Sequence, residues 1–207
     1  MAERSTRWSQ ISHASDGTKY ASSFDSLEAN GVDVHGEARF CASLVEPGSR
    51  ILDAGCGTGR VARQLDDWGF ECVGVDSDES MLQEALRSAS GVDWLLADLA
   101  EMDLSEPPLS SPFDLIVAAG NVIPLLAEST EHAVIGTLAT LLLPTGLLVA
   151  GFGLHPDTLP LDWAPVDLPS YDRWCADHEL ELIDRFATWD RAPYRDGDYA
   201  VSVHRRR

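Results

Sequence analysis

The residues of this chain best placed to do chemistry form one short run, Asp53-Ala54-Gly55-Cys56-Gly57-Thr58-Gly59. Glycines at alternate positions after an apolar stretch mark a backbone that turns sharply and tolerates no side chains. Where a helix opens on such a turn, its first N–H groups lack intrahelical acceptors and face whatever lies against it. The spacing also separates ligands. A nicotinamide-binding turn reads G-x-G-x-x-G. Gly55 and Gly57 satisfy its first two glycines, but the third falls on Arg60, and Gly59 arrives one residue early. Asp53, ahead of the first glycine, is foreign to that pattern. A carboxylate there suits a cationic ammonium, directly or through water, rather than a pyrophosphate. The bland alternative is a tight strand-to-helix turn that binds nothing.

A turn of this kind needs a strand ending where it begins and a helix starting where it stops. Arg50 to Ala54 reads as that strand, and about Thr58 to Trp68 as a helix with Val61, Ala62, Leu65 and Trp68 on one face. The pattern then repeats. Glu71 to Asp76 is a second strand, followed by a helix capped by Ser77 or Asp78 with Met81, Leu82, Ala85, Leu86 and Ala89 inward. Val92 to Ala97 and Phe113 to Ala119 are the third and fourth strands, joined by a polar, proline-bearing connection with little or no helix. A helix over about Thr130 to Leu143 stops at Pro144-Thr145-Gly146, which turns the chain into a fifth strand, Leu147 to Phe152. Such alternation is the mark of a parallel sheet.

The texture changes after that. Residues 154 to 169 hold four of the eleven prolines, so they form a long loop, of the functional or mobile kind. A short helix near Tyr171 to His178 precedes two antiparallel segments, Leu180 to Trp189 and Tyr199 to His204, with turn chemistry at Asp196-Gly197. The first 49 residues carry no strand signal, and Asp33 can cap a helix with Val34, Ala38, Cys41 and Val45 on its apolar side. One domain of 207 residues is expected, helical over 1–49, βα core over 50–152, and loop, helix and strand pair over 153–207.

With the elements in place, Ile51-Leu52-Asp53-Ala54-Gly55-Cys56-Gly57-Thr58-Gly59 closely resembles the first motif of class I S-adenosylmethionine-dependent methyltransferases. Val73-Gly74-Val75-Asp76, Ala97-Asp98-Leu99, Phe113-Asp114-Leu115-Ile116-Val117 and Leu143-Pro144-Thr145-Gly146-Leu147-Leu148 are similar to later segments of that family, in order. Thr145 departs from the family's glycine at a structural spot. The whole run, with His35-Gly36-Glu37-Ala38 and Thr188-Trp189-Asp190-Arg191, resembles actinobacterial members. The resemblance implies a Rossmann-like, mostly parallel seven-stranded sheet with a C-terminal antiparallel hairpin and helices on both faces. It implies S-adenosylmethionine as cofactor and S-adenosylhomocysteine as product, with in-line transfer of the methyl group to a small-molecule acceptor.

By the same resemblance Asp76 accepts both ribose hydroxyls, and Asp98 with the following N–H holds the adenine. Each aspartate taken singly also reads as a strand-end cap. The implied cofactor set is Asp53, Ala54, Gly55, Cys56, Gly57, Gly59 and Arg60 on the first turn; Asp76, Ser77 and Met81 after the second strand; Ala97, Asp98 and Leu99 after the third; and Ala119, Gly120 and Asn121 after the fourth. Asn121 is either a ligand-holding amide or a turn residue. In this family N-terminal helices often lie over the cofactor, which makes His35, as a candidate base, and Glu37 site candidates beside the reading of a solvated helix end. Trp8 and Tyr20 either stack on ligand or pin the terminus. His155 and Trp163, on the proline-rich loop, are candidates for acceptor contact, and His204 reads as structural.

Composition excludes other classes. Thirty-four acidic against fifteen basic residues give a net charge of -19, which repels phosphate backbones and anionic membranes. Gly120-Asn121-Val122-Ile123 lacks the Asn/Asp-Pro-Pro-Tyr/Phe run of enzymes that methylate nucleic-acid bases. Four scattered cysteines without a C-x-x-C pair and six histidines without a cluster predict no metal. No apolar run has the length of a signal peptide core or a membrane span, so a cytoplasmic protein is expected. Oligomeric state is not encoded legibly. Two other functions stand beside methyl transfer: a module that binds the cofactor without turnover, and an NAD(P)-dependent oxidoreductase, which the glycine spacing disfavours.

Overall fold

The computed structural model describes residues 5–11, 17–87 and 91–207. Its strands are β1 (Arg50–Ala54), β2 (Glu71–Asp76), β3 (Asp93–Leu96), β4 (Phe113–Ala118), β5 (Leu142–Gly153), β6 (Leu180–Phe186) and β7 (Tyr199–Arg206). They form one sheet in the order β3-β2-β1-β4-β5-β7-β6. The first five run parallel, and β7 pairs antiparallel with both β5 and β6. This is the Rossmann-like sheet with an antiparallel C-terminal pair that the resemblance implied.

Alternation along the strands sends side chains to two separate cores. Leu52, Ala54, Val73, Val75, Ile116 and Leu148 pack on one face with Val134, Ile135 and Leu138 of α7 (Glu131–Leu141) and Tyr171 and Cys175 of α8 (Leu168–Asp177). Ile51, Leu115, Val117 and Val149 pack on the other, against Ala38, Phe40 and Cys41 of α3 (Gly36–Ala42) and Val61, Ala62 and Leu65 of α4 (Arg60–Asp67). Burial on both faces is why β1, β2, β4 and β5 read as apolar runs, while β3 at the sheet edge is partly exposed.

Several expectations are corrected. Leu86, predicted inward on α5 (Glu79–Arg87), is 65% exposed, while Met81, Leu82 and Ala85 are buried as expected; Ala89 lies outside the described residues. Asp78, not Ser77, caps α5, accepting the Ser80 N–H at 2.9 Å and the Met81 N–H at 3.3 Å. The helix before the fifth strand stops at Leu141, and β5 already begins at Leu142. Leu142 pairs with Phe113 and the ladder resumes at Leu115 with Leu147, so Pro144-Thr145-Gly146 is a bulge inside the strand, not a turn before it. Asp33 accepts the His35 N–H at 3.0 Å from two residues before the N-cap, which is His35 itself. Within the helical 1–49 region, α1 (Arg7–Ile11) and α2 (Gly17–Ala29) precede α3, and the short helix α6 (Val122–Leu125) was not anticipated.

Candidate functional site

In an open α/β sheet the crevice for a ligand opens where the strand order reverses, at the carboxyl ends. Here that point lies between β1 and β4. Gly55 and Cys56 donate their N–H groups to Val75 O at 2.8 and 3.0 Å, folding the turn over the end of β2. Gly55, Gly57 and Gly59 have φ of 76°, 55° and 78°, the left-handed region that side chains resist. Packing adds a second reason at two of them. A Cβ on Gly55 would sit 2.5 Å from Val122, and one on Gly59 would sit 2.3 Å from Trp94. A Cβ on Gly57 would meet nothing within 4 Å, so that side of the middle of the turn faces open space.

Gly59→Ala therefore meets both a backbone penalty and a clash, and is expected to lower unfolding free energy by about 2–5 kcal/mol. Denaturant titration measures this, and an unchanged midpoint would show that Trp94 yields freely.

Gly55 and Gly57 form one wall of a cavity of about 670 Å³, counted out to its mouth. Asp76, Ser77, Met81, Ala97, Asp98, Leu99 and Gly120 line it as well, so the structure brings together the expected contributions of four strand ends. Asp76 accepts the Gly57 N–H at 2.7 Å and the Asp78 N–H at 2.8 Å, one on each oxygen. A carboxylate has about four lone-pair positions, so acceptor capacity remains for a ligand. Burial pushes the Asp76 carboxyl above the usual carboxylate range, against the pull of those N–H groups. Asp98 accepts the Ala100 N–H at 2.9 Å.

The roof is helical. Thr6, Trp8 and Tyr20, from α1 with its lead-in residue and from α2, close over the cavity, and Val122, Leu125 and Leu126 complete its side beyond β4. Trp8 donates its indole N–H to Asp78 at 2.9 Å and meets Tyr20 edge-on at 6.4 Å, so both aromatics sit at the site. Thr6 carries no sequence signal of this role. Val122 to Leu126 does carry one, a short apolar run directly after the Gly120 bend.

Other expected residues stand back from the cavity lining. Asp53 is 2% exposed on the α4 face of β1, where its carboxylate accepts the Ala62 N–H at 3.1 Å. Burial drives its carboxyl up to about 7. Ala54, Cys56, Gly59 and Ala119 shape the turns without lining the cavity. Arg60 grips Glu37 through two hydrogen bonds of 2.6 and 2.9 Å, also reaches Val34 O, and covers the Phe24 ring at 4.6 Å. These two residues fasten α2 and α3 to α4. Asn121, at φ 70°, spends its amide on Thr158 O at 3.1 Å and the Gly153 N–H at 2.7 Å. His35 lies in a separate groove between α2 and α4, 3.3 Å from Glu28. His155 bonds within its own turn, and Trp163 is 55% exposed. Among the described residues no group of His, Cys, Asp or Glu could hold a metal, and no helix is long and apolar enough to cross a membrane.

Known proteins share this arrangement. A methyltransferase domain model matches residues 51–146. The TehB-like S-adenosylmethionine-dependent methyltransferase of Corynebacterium glutamicum superposes with a TM-score of 0.81 at 31% identity, covering 92% of this chain and 98% of that one. The chain belongs to the class I S-adenosylmethionine-dependent methyltransferases. Among curated relatives of this methyltransferase, the putative methyltransferase YqeM of Bacillus subtilis is 34% identical over 120 residues, 55% of this chain and 45% of that protein. The malonyl-acyl-carrier-protein O-methyltransferase of Enterobacter lignolyticus is 35% identical over 112 residues, 54% of this chain and 41% of that protein. The match thus spans less than half the length of either curated relative. The methyltransferase cofactor is S-adenosylmethionine. The cavity suits it, because Gly57 and Gly120 leave open space where a Cβ would meet nothing within 4 Å, and Asp76 keeps acceptor positions beside them. The nicotinamide reading is not favoured.

Proposed function

We propose that this methyltransferase acts on a small-molecule acceptor bound under the α1–α2 roof. The carrying observation is the roofed cavity itself, with glycine turn, Asp76 and Asp98 on one wall and Thr6, Trp8 and Tyr20 above. S-adenosylmethionine supplies the activated methyl group. The protein's residues then have to bind, orient and exclude water. Asp76 takes the ribose hydroxyls, Asp98 and the Leu99 N–H take the adenine, and the glycine turn lies against the remainder. Trp8, Tyr20, Val122, Leu125 and Leu126 surround the acceptor with mostly apolar surface, which a small organic molecule fills.

His35 and Asn121 take no part in this proposal as base or acceptor ligand, since neither lines the cavity. The net charge of -19 supports a partner other than nucleic acid or an anionic membrane. The four cysteines, all free and buried, suit a reducing cytoplasmic setting.

Calorimetry with S-adenosylhomocysteine and, separately, NAD tests the cofactor half of the proposal. The thioether is expected to bind at micromolar concentration and NAD not at all, and the reverse pattern would overturn the assignment. A screen of small metabolites for transfer of a labelled methyl group tests the acceptor half.

A further inference from the structure

A helix of five residues does not hold its shape in water, so α1 keeps its place only through what it grips. It lies across the cavity, to whose lining it contributes Trp8 and its lead-in residue Thr6. Arg7, between them, is turned into the protein and is 9% exposed. Its Nη1 donates to Glu131 Oε1 at 2.7 Å, to Leu126 O at 3.1 Å and to Pro124 O at 3.3 Å. Its backbone N–H reaches Leu126 O at 3.4 Å. Glu131, in the first turn of α7, is itself only 6% exposed.

An arginine–carboxylate pair this deep is little screened by salt, and leaving either member behind without the other is strongly unfavourable. The carbonyls it grips belong to the segment whose Leu125 and Leu126 line the cavity. On the opposite side Trp8 holds Asp78, whose own N–H rests on Asp76. The roof is therefore fastened to two strand ends at once.

We propose that Arg7 is the positioning residue that latches α1 across the cofactor cavity, with Glu131 as its built-in counter-ion. The latch sets how long the cofactor stays. Arg7 acts through Thr6 and Trp8, and it is absent from the cavity lining. The inference rests on the cofactor occupying this cavity, as proposed above.

The test is stopped-flow binding of S-adenosylhomocysteine to the full chain. Arg7→Met combined with Glu131→Gln removes both charges and leaves no buried ion unpaired, so the fold is kept. Thermal unfolding of the ligand-free variant within a few degrees of wild type confirms that. Dissociation from the double variant is expected to be roughly tenfold faster, with association nearly unchanged. Arg7→Lys, which retains the charge for Glu131, should recover most of the residence time. Wild-type dissociation kinetics in the double variant would overturn the latch. Slower association with unchanged dissociation would overturn it too. Failure of the wild-type chain to bind S-adenosylhomocysteine would instead overturn the reading of the cavity.

Discussion

Asp76→Ala is expected to weaken binding of S-adenosylhomocysteine at least about tenfold, the largest effect on the cofactor of any single substitution in the cavity wall. The carboxylate offers two charged acceptors, and hydrogen bonds to a charged group contribute about 1.5–3 kcal/mol each. It also holds the Gly57 and Asp78 N–H groups, so its removal loosens the turn and the start of α5 together. Asp76→Asn separates the two roles, because an amide oxygen still accepts one N–H while the charge is lost. Isothermal titration of both variants reads the difference. Unchanged affinity in the alanine variant would refute the ribose assignment. Because burial raises the Asp76 carboxyl, wild-type affinity should also fall as the pH is lowered, with protonation removing acceptor positions.

The second large effect concerns stability. Asp53 is raised from 3.8 to about 7 by burial, so between those values the folded protein holds a proton that the unfolded chain has lost. The folded state binds more protons there, and stability must fall as the pH rises through that window. The full penalty stands above about pH 7. Three units or so correspond to about 4 kcal/mol. Asp53→Asn keeps an oxygen for the Ala62 N–H and removes the titration. The variant is therefore expected to unfold at higher denaturant than wild type at pH 8, with the gap closing toward pH 4. A gap independent of pH would show that Asp53 is ionised in the folded protein throughout. Arg60 pulls the carboxyl down and Glu37 and Asp76 push it up, so the gap belongs to this group of charges rather than to Asp53 alone.

The sheet and one wall of the site were legible because their signals are local. A strand, a glycine turn and a helix start within ten residues of Asp53, and an acidic residue again follows an apolar strand at Asp76 and Asp98. The roof was legible only as helices over the site with Trp8 and Tyr20 as candidates, and what fastens it was illegible for the opposite reason. Arg7 meets Glu131 across 124 positions and Trp8 meets Asp78 across 70, and no periodicity announces such contacts. The first eight residues of α2, Gly17-Thr18-Lys19-Tyr20-Ala21-Ser22-Ser23-Phe24, have no clean apolar stripe, since the helix packs mainly through its aromatic residues and Gly17. Gly17 abuts the Ser80 carbonyl so closely that a Cβ would sit 2.3 Å away. Asn121 invited two readings because an amide serves a ligand or a backbone equally well. Its two bonds, to Thr158 and Gly153, give it to the backbone. Leu86 was misplaced because spacing alone cannot tell how far an apolar stripe extends around α5 once the neighbouring layer ends.

The cavity is assembled from unequal parts. Its cofactor wall comes almost wholly from one unbroken stretch, Gly55 to Leu99, whereas Thr6, Trp8, Tyr20 and the Val122–Leu126 run arrive from either side of it in the chain. With the acceptor under the roof, as proposed, a lineage changes what it methylates by substitutions in these flanking tracts and leaves the proposed cofactor wall intact. The tracts are not independent, since Arg7 on one grips carbonyls of the other and the acid just beyond it. Any graft of a new roof onto this scaffold has to carry both tracts and Glu131 as one inheritable unit.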